Sequence, residues 1–171
     1  MIKHFFSAIT GNILSLFGTV LVVVSLLLIL VLLVMQGMGF EGGAYLGILT
    51  FVIFPMLFLL GLALIPIGLW WRKRKDAKLA AQGKPIYDEG IVGNAVPACS
   101  GCHNDDGSGT EKYPRLAGQH PAYVADQMQR FRSGERANDS KSVMRAVAKR
   151  MSDSEIKAVA EYVATLTGGA E

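Results

Sequence analysis

Two runs without a charged residue dominate the first half of the chain: Ile13 to Met35 and Ala44 to Trp71, 23 and 28 residues long. A helix needs about 20 apolar residues to cross the hydrocarbon core of a bilayer. The pattern therefore predicts two transmembrane helices. The second is long enough to tilt or to reach into the headgroups, and Trp70 and Trp71 stand at its end, where indole rings favour the interface. A cleaved signal peptide fits poorly, because the first run exceeds an ordinary h-region and no A-x-A-like site follows it. A buried core helix would show a polar face, which the second run lacks. Pro55 and Pro66 predict kinks inside the second run, of a kind membrane helices tolerate when freed backbone groups find partners.

Beyond Trp71 the pattern changes. A linker, residues 76–82, leads into a segment of mixed polarity without repeats or low-complexity tracts. "GKPIYDEG" is a short helix candidate between Gly83 and Gly90. "HPAYVADQMQRFRSG" places Pro121 in a first turn and Gly134 at a stop, with Val124, Met128 and Phe131 on one stripe. "MSDSEIKAVAEYVATLTGG" opens with Ser152 and has Glu155 three residues later, a capping box. The stripe Ile156, Val159, Ala160 and Val163 follows, and Gly168 is a candidate terminator. Cys99 to Leu116 reads as mostly loop, rich in Gly, Asp, Asn and Ser. No strand alternation occurs in this segment. The expected fold class is all-α: two N-terminal transmembrane helices in residues 1–75, then a small helical domain in residues 83–171.

Charge sharpens the division. The formal net charge is +3, but "RKRKDAK" from Arg72 to Lys78 supplies five positive charges and one negative. From Leu79 onward, eleven Lys and Arg face twelve Asp and Glu. The polar segment is near neutral and offers no basic stripe for nucleic acid. The basic cluster reads as a membrane-flanking anchor that pairs with lipid headgroups.

The chain has two cysteines, Cys99 and Cys102, with His103 directly after them. A disulfide between them would close a very short loop and constrain little. A redox-active C-x-x-C belongs after a strand in an α/β domain, and no strand is predicted. A structural zinc needs four ligands, and one is missing. The fourth reading is covalent haem, with two thioethers and an axial histidine. The second axial position then has Met128, Met144, Met151, His120 or no residue as candidates. Met128 lies on an apolar stripe. Met151 sits one residue before the N-cap Ser152, where it can staple to Ile156. His120 precedes Pro121 and suits a cap. Met144 has no such role, and about 40 residues separate it from His103. Met144 is the favoured ligand. Asp105, Asp106 and Glu111 read as a solvated loop, not as acid–base groups.

With "GKPIY", "PACSGCH", "YPRLAGQHPAYVADQMQRFRSGERAND", Met144 and "MSDSEIKAVAEYVATL" in this order, the segment from Gly83 to Leu166 resembles the class I bacterial cytochromes c, most closely the c4 and c553-type domains. The resemblance implies one covalent haem c, with His103 as proximal and Met144 as distal ligand. It implies that the Pro114 carbonyl accepts a hydrogen bond from the His103 ring, and that Tyr87 and Tyr162 pack where the first and last helices meet. Two departures stand out. The c4 proteins carry two such domains where this chain has one, and Met151 replaces the usual leucine before "SD".

The function implied is single-electron transfer, with no small-molecule substrate and no enzymatic reaction of its own. Redox partners would be a quinol-oxidising complex and a terminal oxidase or reductase. A fixed subunit of a larger complex, a haem-based sensor and a structural anchor are the alternatives; two spans before a haem c domain also resemble the cytochrome c subunit of cbb3-type oxidases. Sidedness carries a conflict. The positive-inside rule places Arg72 to Lys75, and with them Lys3, in the cytoplasm. The resemblance implies haem attachment on the outer side, and the expectation adopted is a bacterial cytoplasmic membrane protein with its haem domain on the periplasmic side.

Overall fold

The computed structural model describes residues 12–39 and 43–169. Lys3, part of the loop between the two apolar runs and the last two residues lie outside the described residues. The chain divides into two compact units, Met1–Arg74 and Lys75–Glu171.

In the first unit, helix α1 spans Ile13–Gly37 and starts from Asn12, whose side-chain oxygen accepts the Leu14 N–H at 3.0 Å. The second run opens as α2, Gly43–Ile48, passes through a π-helical turn, Leu49–Ile53, and continues as α3, Phe54–Glu89. The π turn has a local cause. Pro55 has no N–H, and the Phe54 N–H reaches back five residues to the Leu49 carbonyl, which re-registers the ladder ahead of the proline. Both runs form helices long and apolar enough to cross a membrane, and most of their apolar side chains are exposed.

The two helices meet along small residues. A Cβ built on Gly18 would lie 2.8 Å from the Gly61 carbonyl oxygen, and one on Gly61 would lie 2.8 Å from that of Gly18. Ser15 faces Gly68 in the same way, and Asn12 Nδ2 donates to the Gly68 carbonyl at 2.7 Å. Small residues at such crossings let helix backbones approach closely.

In the second unit, the expected short helix from Gly83 to Gly90 is the end of α3. Residues 76–82 are helical too. The segment from Arg72 to Lys84 is rich in Lys, Arg and Ala, good helix formers that carry the ladder forward, and Pro85 lies inside the helix. The helix stops at Gly90, whose φ is +77°. Gly83 marks a close crossing: a Cβ there would sit 2.0 Å from the Ala158 carbonyl oxygen.

After a 3-10 turn, Val92–Asn94, come α4, Ser100–His103; α5, Pro121–Ser133; a second 3-10 turn, Ser140–Ser142; α6, Val143–Lys149; and α7, Asp153–Val163. Among the described residues the β-structure is one bridge, Ile91 to Val96. The predicted caps form. His120 Nδ1 accepts the Ala122 N–H, Gly134 ends α5 at φ +84°, and Ser152 and Glu155 complete the capping box. Gly168 does not end the last helix, which stops at Val163 with Ala164 as its C-cap. Gly168 is used elsewhere: its N–H donates to the Asp106 carbonyl, and its own carbonyl receives Arg115. The core gathers Tyr87, Val96, Met128, Phe131, Val147, Met151, Ile156, Val159 and Val163, with α5 packed on both α6 and α7.

Candidate metal centre

One helical turn gathers the sulfur and imidazole groups. Cys99 is the N-cap of α4, and its carbonyl accepts the N–H groups of Cys102 and His103 at 3.2 and 2.9 Å. Residues three apart share a helix face, so the two thiols lie on one side of this turn. Both are half-buried and free, while His103 is buried, 5% exposed. Burial, and after it the neighbouring Cys102, pushes the Cys99 thiol up to about 11. A redox-active C-x-x-C needs the opposite shift, since the thiolate is the nucleophile.

The loop after the motif fixes the imidazole. His103 Nδ1 lies 2.8 Å from the Pro114 carbonyl oxygen. A carbonyl only accepts, so Nδ1 carries the proton and Nε2 keeps its lone pair for a metal. The His103 carbonyl is held as well, by the Gly109 N–H at 3.0 Å. Gly109 has φ +75°, and a Cβ there would meet Arg115 N at 2.6 Å and Pro114 C at 2.7 Å. A side chain at 109 would displace the segment that orients the ring. Two further contacts brace the loop: Gly107 O accepts from the N–H groups of Leu116 and Ala117, and Arg115 reaches the carbonyls of Thr167 and Gly168.

Asn104 closes the motif at φ +65° and ψ 158°, outside the left-handed helical well and in a region otherwise used almost only by glycine, so its surroundings must hold it there. Its side chain donates to the Gly109 carbonyl at 2.7 Å, and its carbonyl accepts from Tyr87 Oη at 2.7 Å. Tyr87 is fully buried and lies 5.4 Å from Tyr162, centroid to centroid, with the rings inclined at 60°. The expected meeting of these two rings is present. The hydroxyl contact to the residue after His103 is not readable from sequence.

The remaining candidates separate by burial. Met128 and Met151 are core residues, 8% and 3% exposed. His120 caps α5. Met144 is the second residue of α6, half-buried and packed against the core. Among the described residues, no group of three or more His, Cys, Asp and Glu side chains could hold a metal ion together, so Cys99, Cys102 and His103 do not find a fourth zinc ligand of these types. The residues present fit a covalently held haem: two thiols on one turn, a buried imidazole with Nε2 available, and a thioether on a separate short helix beside the apolar core.

Comparison with known proteins gives the same direction. Residues 80–167 match the cytochrome c family model. Cytochrome c4 of Azotobacter vinelandii is 41% identical over 91 residues, which cover 52% of this chain and 43% of that protein. A protein of Stutzerimonas stutzeri described as a thiosulfate dehydrogenase electron acceptor is 42% identical over 72 residues, covering 42% of this chain and 33% of its own length. The crystal structure of reduced recombinant cytochrome c4 from Pseudomonas stutzeri superposes with a TM-score of 0.51 at 40% identity, covering 53% of this chain and 49% of that one. The chain spans about half the length, or less, of these relatives.

Proposed function

The chain belongs to the cytochrome c family, and from that premise we propose that it is a membrane-anchored carrier of single electrons with one covalent haem c. When bound, the haem supplies a one-electron iron couple. Cys99 and Cys102 hold it by thioether bonds. His103 presents Nε2 as proximal ligand, with Pro114 fixing the ring plane. Met144 gives the distal thioether, which favours the reduced iron relative to a second histidine. Held by His103 and Met144 together, the haem would pass electrons without coordinating a substrate.

The observation that carries this reading is the 2.8 Å contact from His103 Nδ1 to the Pro114 carbonyl within a C-x-x-C-H turn. It sets the tautomer a ligating imidazole needs. In this reading residues 1–75 anchor the chain through α1 and the apolar part of α3, Arg72 to Lys75 meet lipid headgroups, and residues 83–171 form the haem domain on the periplasmic side. Arg74 already stacks on the Trp70 ring, 3.8 Å from its centroid, an arrangement suited to the bilayer interface. Partners are redox proteins: a quinol-oxidising complex as donor, and a terminal oxidase or reductase as acceptor. The relatives described as thiosulfate dehydrogenase electron acceptors support a second reading, attachment to one redox enzyme.

A haem stain and visible spectra of washed membranes test the proposal. One haem per chain, retained through carbonate extraction, with a weak far-red band in the oxidised state that Met144→Ala removes and Met151→Ala leaves, is the expected result. Haem recovered in the soluble fraction would refute the anchor. A far-red band that persists in Met144→Ala would refute the ligand.

A further inference from the structure

Met144 is presented by an irregular turn. In the 3-10 turn Ser140–Ser142, Lys141 and Ser142 have φ of +54° and +59°. Two consecutive non-glycine residues in the left-handed region are costly and persist where the surroundings hold them. Ser142 occupies the N-cap of α6, yet its side chain caps no backbone N–H; its hydroxyl accepts from Arg145 Nη2 at 2.8 Å. The cap comes from farther back. Asp139 Oδ2 accepts the backbone N–H of Arg145 at 3.0 Å, and Oδ1 accepts from Arg145 Nε at 2.8 Å. The Asp139 side chain is 5% exposed.

The N–H that Asp139 holds belongs to the peptide joining Met144 to Arg145. The carboxylate thereby grips the backbone just after Met144, while its own residue begins the strained turn just before it. We propose that Asp139 is a positioning residue that keeps Met144 in its ligating place through this double contact with Arg145. The proposal rests on the reading of Met144 as distal ligand. The bonds are charge-assisted, and the negative charge sits at a helix N-terminus, where it is favourable. Without them, Lys141 and Ser142 relax from their left-handed conformation, the first turn of α6 frays, and the thioether leaves its place. Part of the core lies outside the clamped turn: α5 and α7 pack directly on each other, and their Met128, Phe131 and Ile156 are buried.

The test uses the full-length, haem-loaded protein in detergent, as Asp139→Ala and Asp139→Asn. The readouts are the far-red band, the affinity for added imidazole, the midpoint potential, and melting followed by circular dichroism. In Asp139→Ala the band weakens at temperatures far below melting, imidazole binds about tenfold more tightly or better, and the potential falls. Asp139→Asn keeps an acceptor for the Arg145 N–H and retains most of the band. A full band and unchanged imidazole affinity in Asp139→Ala, even with a lower melting point, would show a merely structural role and overturn the proposal. Met144→Ala separates the two failures. If its band survives, the ligand reading itself is wrong. If its band is lost while that of Asp139→Ala is intact, the positioning role alone falls.

Discussion

Replacing Gly83 with alanine probes the joint that closes the redox unit. The added Cβ would lie 2.0 Å from the Ala158 carbonyl oxygen, 2.4 Å from its carbon and 2.9 Å from Val159 Cα. All three are backbone atoms, so no side chain can swing aside. Restoring ordinary contact requires α3 and α7 to separate by about 1.4 Å, and such a gap forfeits much of the dispersion energy along the interface. Overpacking of this kind costs ~3 kcal/mol, and the better helix propensity of alanine returns ~1 kcal/mol. The net loss is about 2 kcal/mol. A domain of this size loses roughly 4–8 °C of melting temperature per kcal/mol, so a fall of about 8–16 °C is expected. Thermal denaturation of the haem-loaded protein, followed by far-ultraviolet circular dichroism, measures it. Gly93→Ala is the matched control, since a Cβ there meets nothing within 4 Å. A melting temperature for Gly83→Ala equal to or above that of the parent would refute the reasoning.

Two further outcomes are expected. Ser152→Ala removes the hydroxyl that accepts the Glu155 N–H and should cost ~0.5–2 kcal/mol, read as a shift in the denaturant midpoint without a change in slope. Asp153 is held below the usual carboxylate range by the side-chain hydrogen bond and charge of Arg132. A depressed folded-state value contributes stability that is present above the unfolded value and lost as pH falls through the folded one. Asp153→Asn should therefore flatten the acid loss of stability as pH falls below about 4, as followed by thermal melts at descending pH.

Features whose physics is local were legible in the sequence. The capping box at Ser152, the His120–Pro121 start and the Gly134 stop each depend on a few neighbouring residues, and all three form. The burial of Met128 and Met151 followed from one stripe and one staple position. Features set by distant partners were not legible. Gly83 reads as a breaker until Ala158 is known to lie against it. Gly168 reads as a terminator until Asp106 and Arg115 are seen to hold it. Arg115, Asn104 and Asp139 look like surface polar residues by type, and their roles appear only once the loop is folded around His103 and Met144. The hydrogen bond to the Pro114 carbonyl came from family resemblance; no spacing rule in the chain would have supplied it.

The contacts that orient His103 are short in sequence: Gly109 is six residues away and Pro114 eleven. The joint between α3 and α7 is long-range, with Gly83 and Ala158, like Tyr87 and Tyr162, 75 residues apart. Local contacts need little loop closure and form early, whereas distant ones wait. Synthesis adds to the delay, because α7 begins 50 residues after His103 and is made later than the cysteine turn. The cysteine turn and its bracing loop can therefore take shape while α3 still has no partner at Gly83. For that interval the core against which Cys99 packs still lacks Ile156, Val159 and Val163, and the turn that carries both thiols takes shape before the C-terminal side of that core is in place.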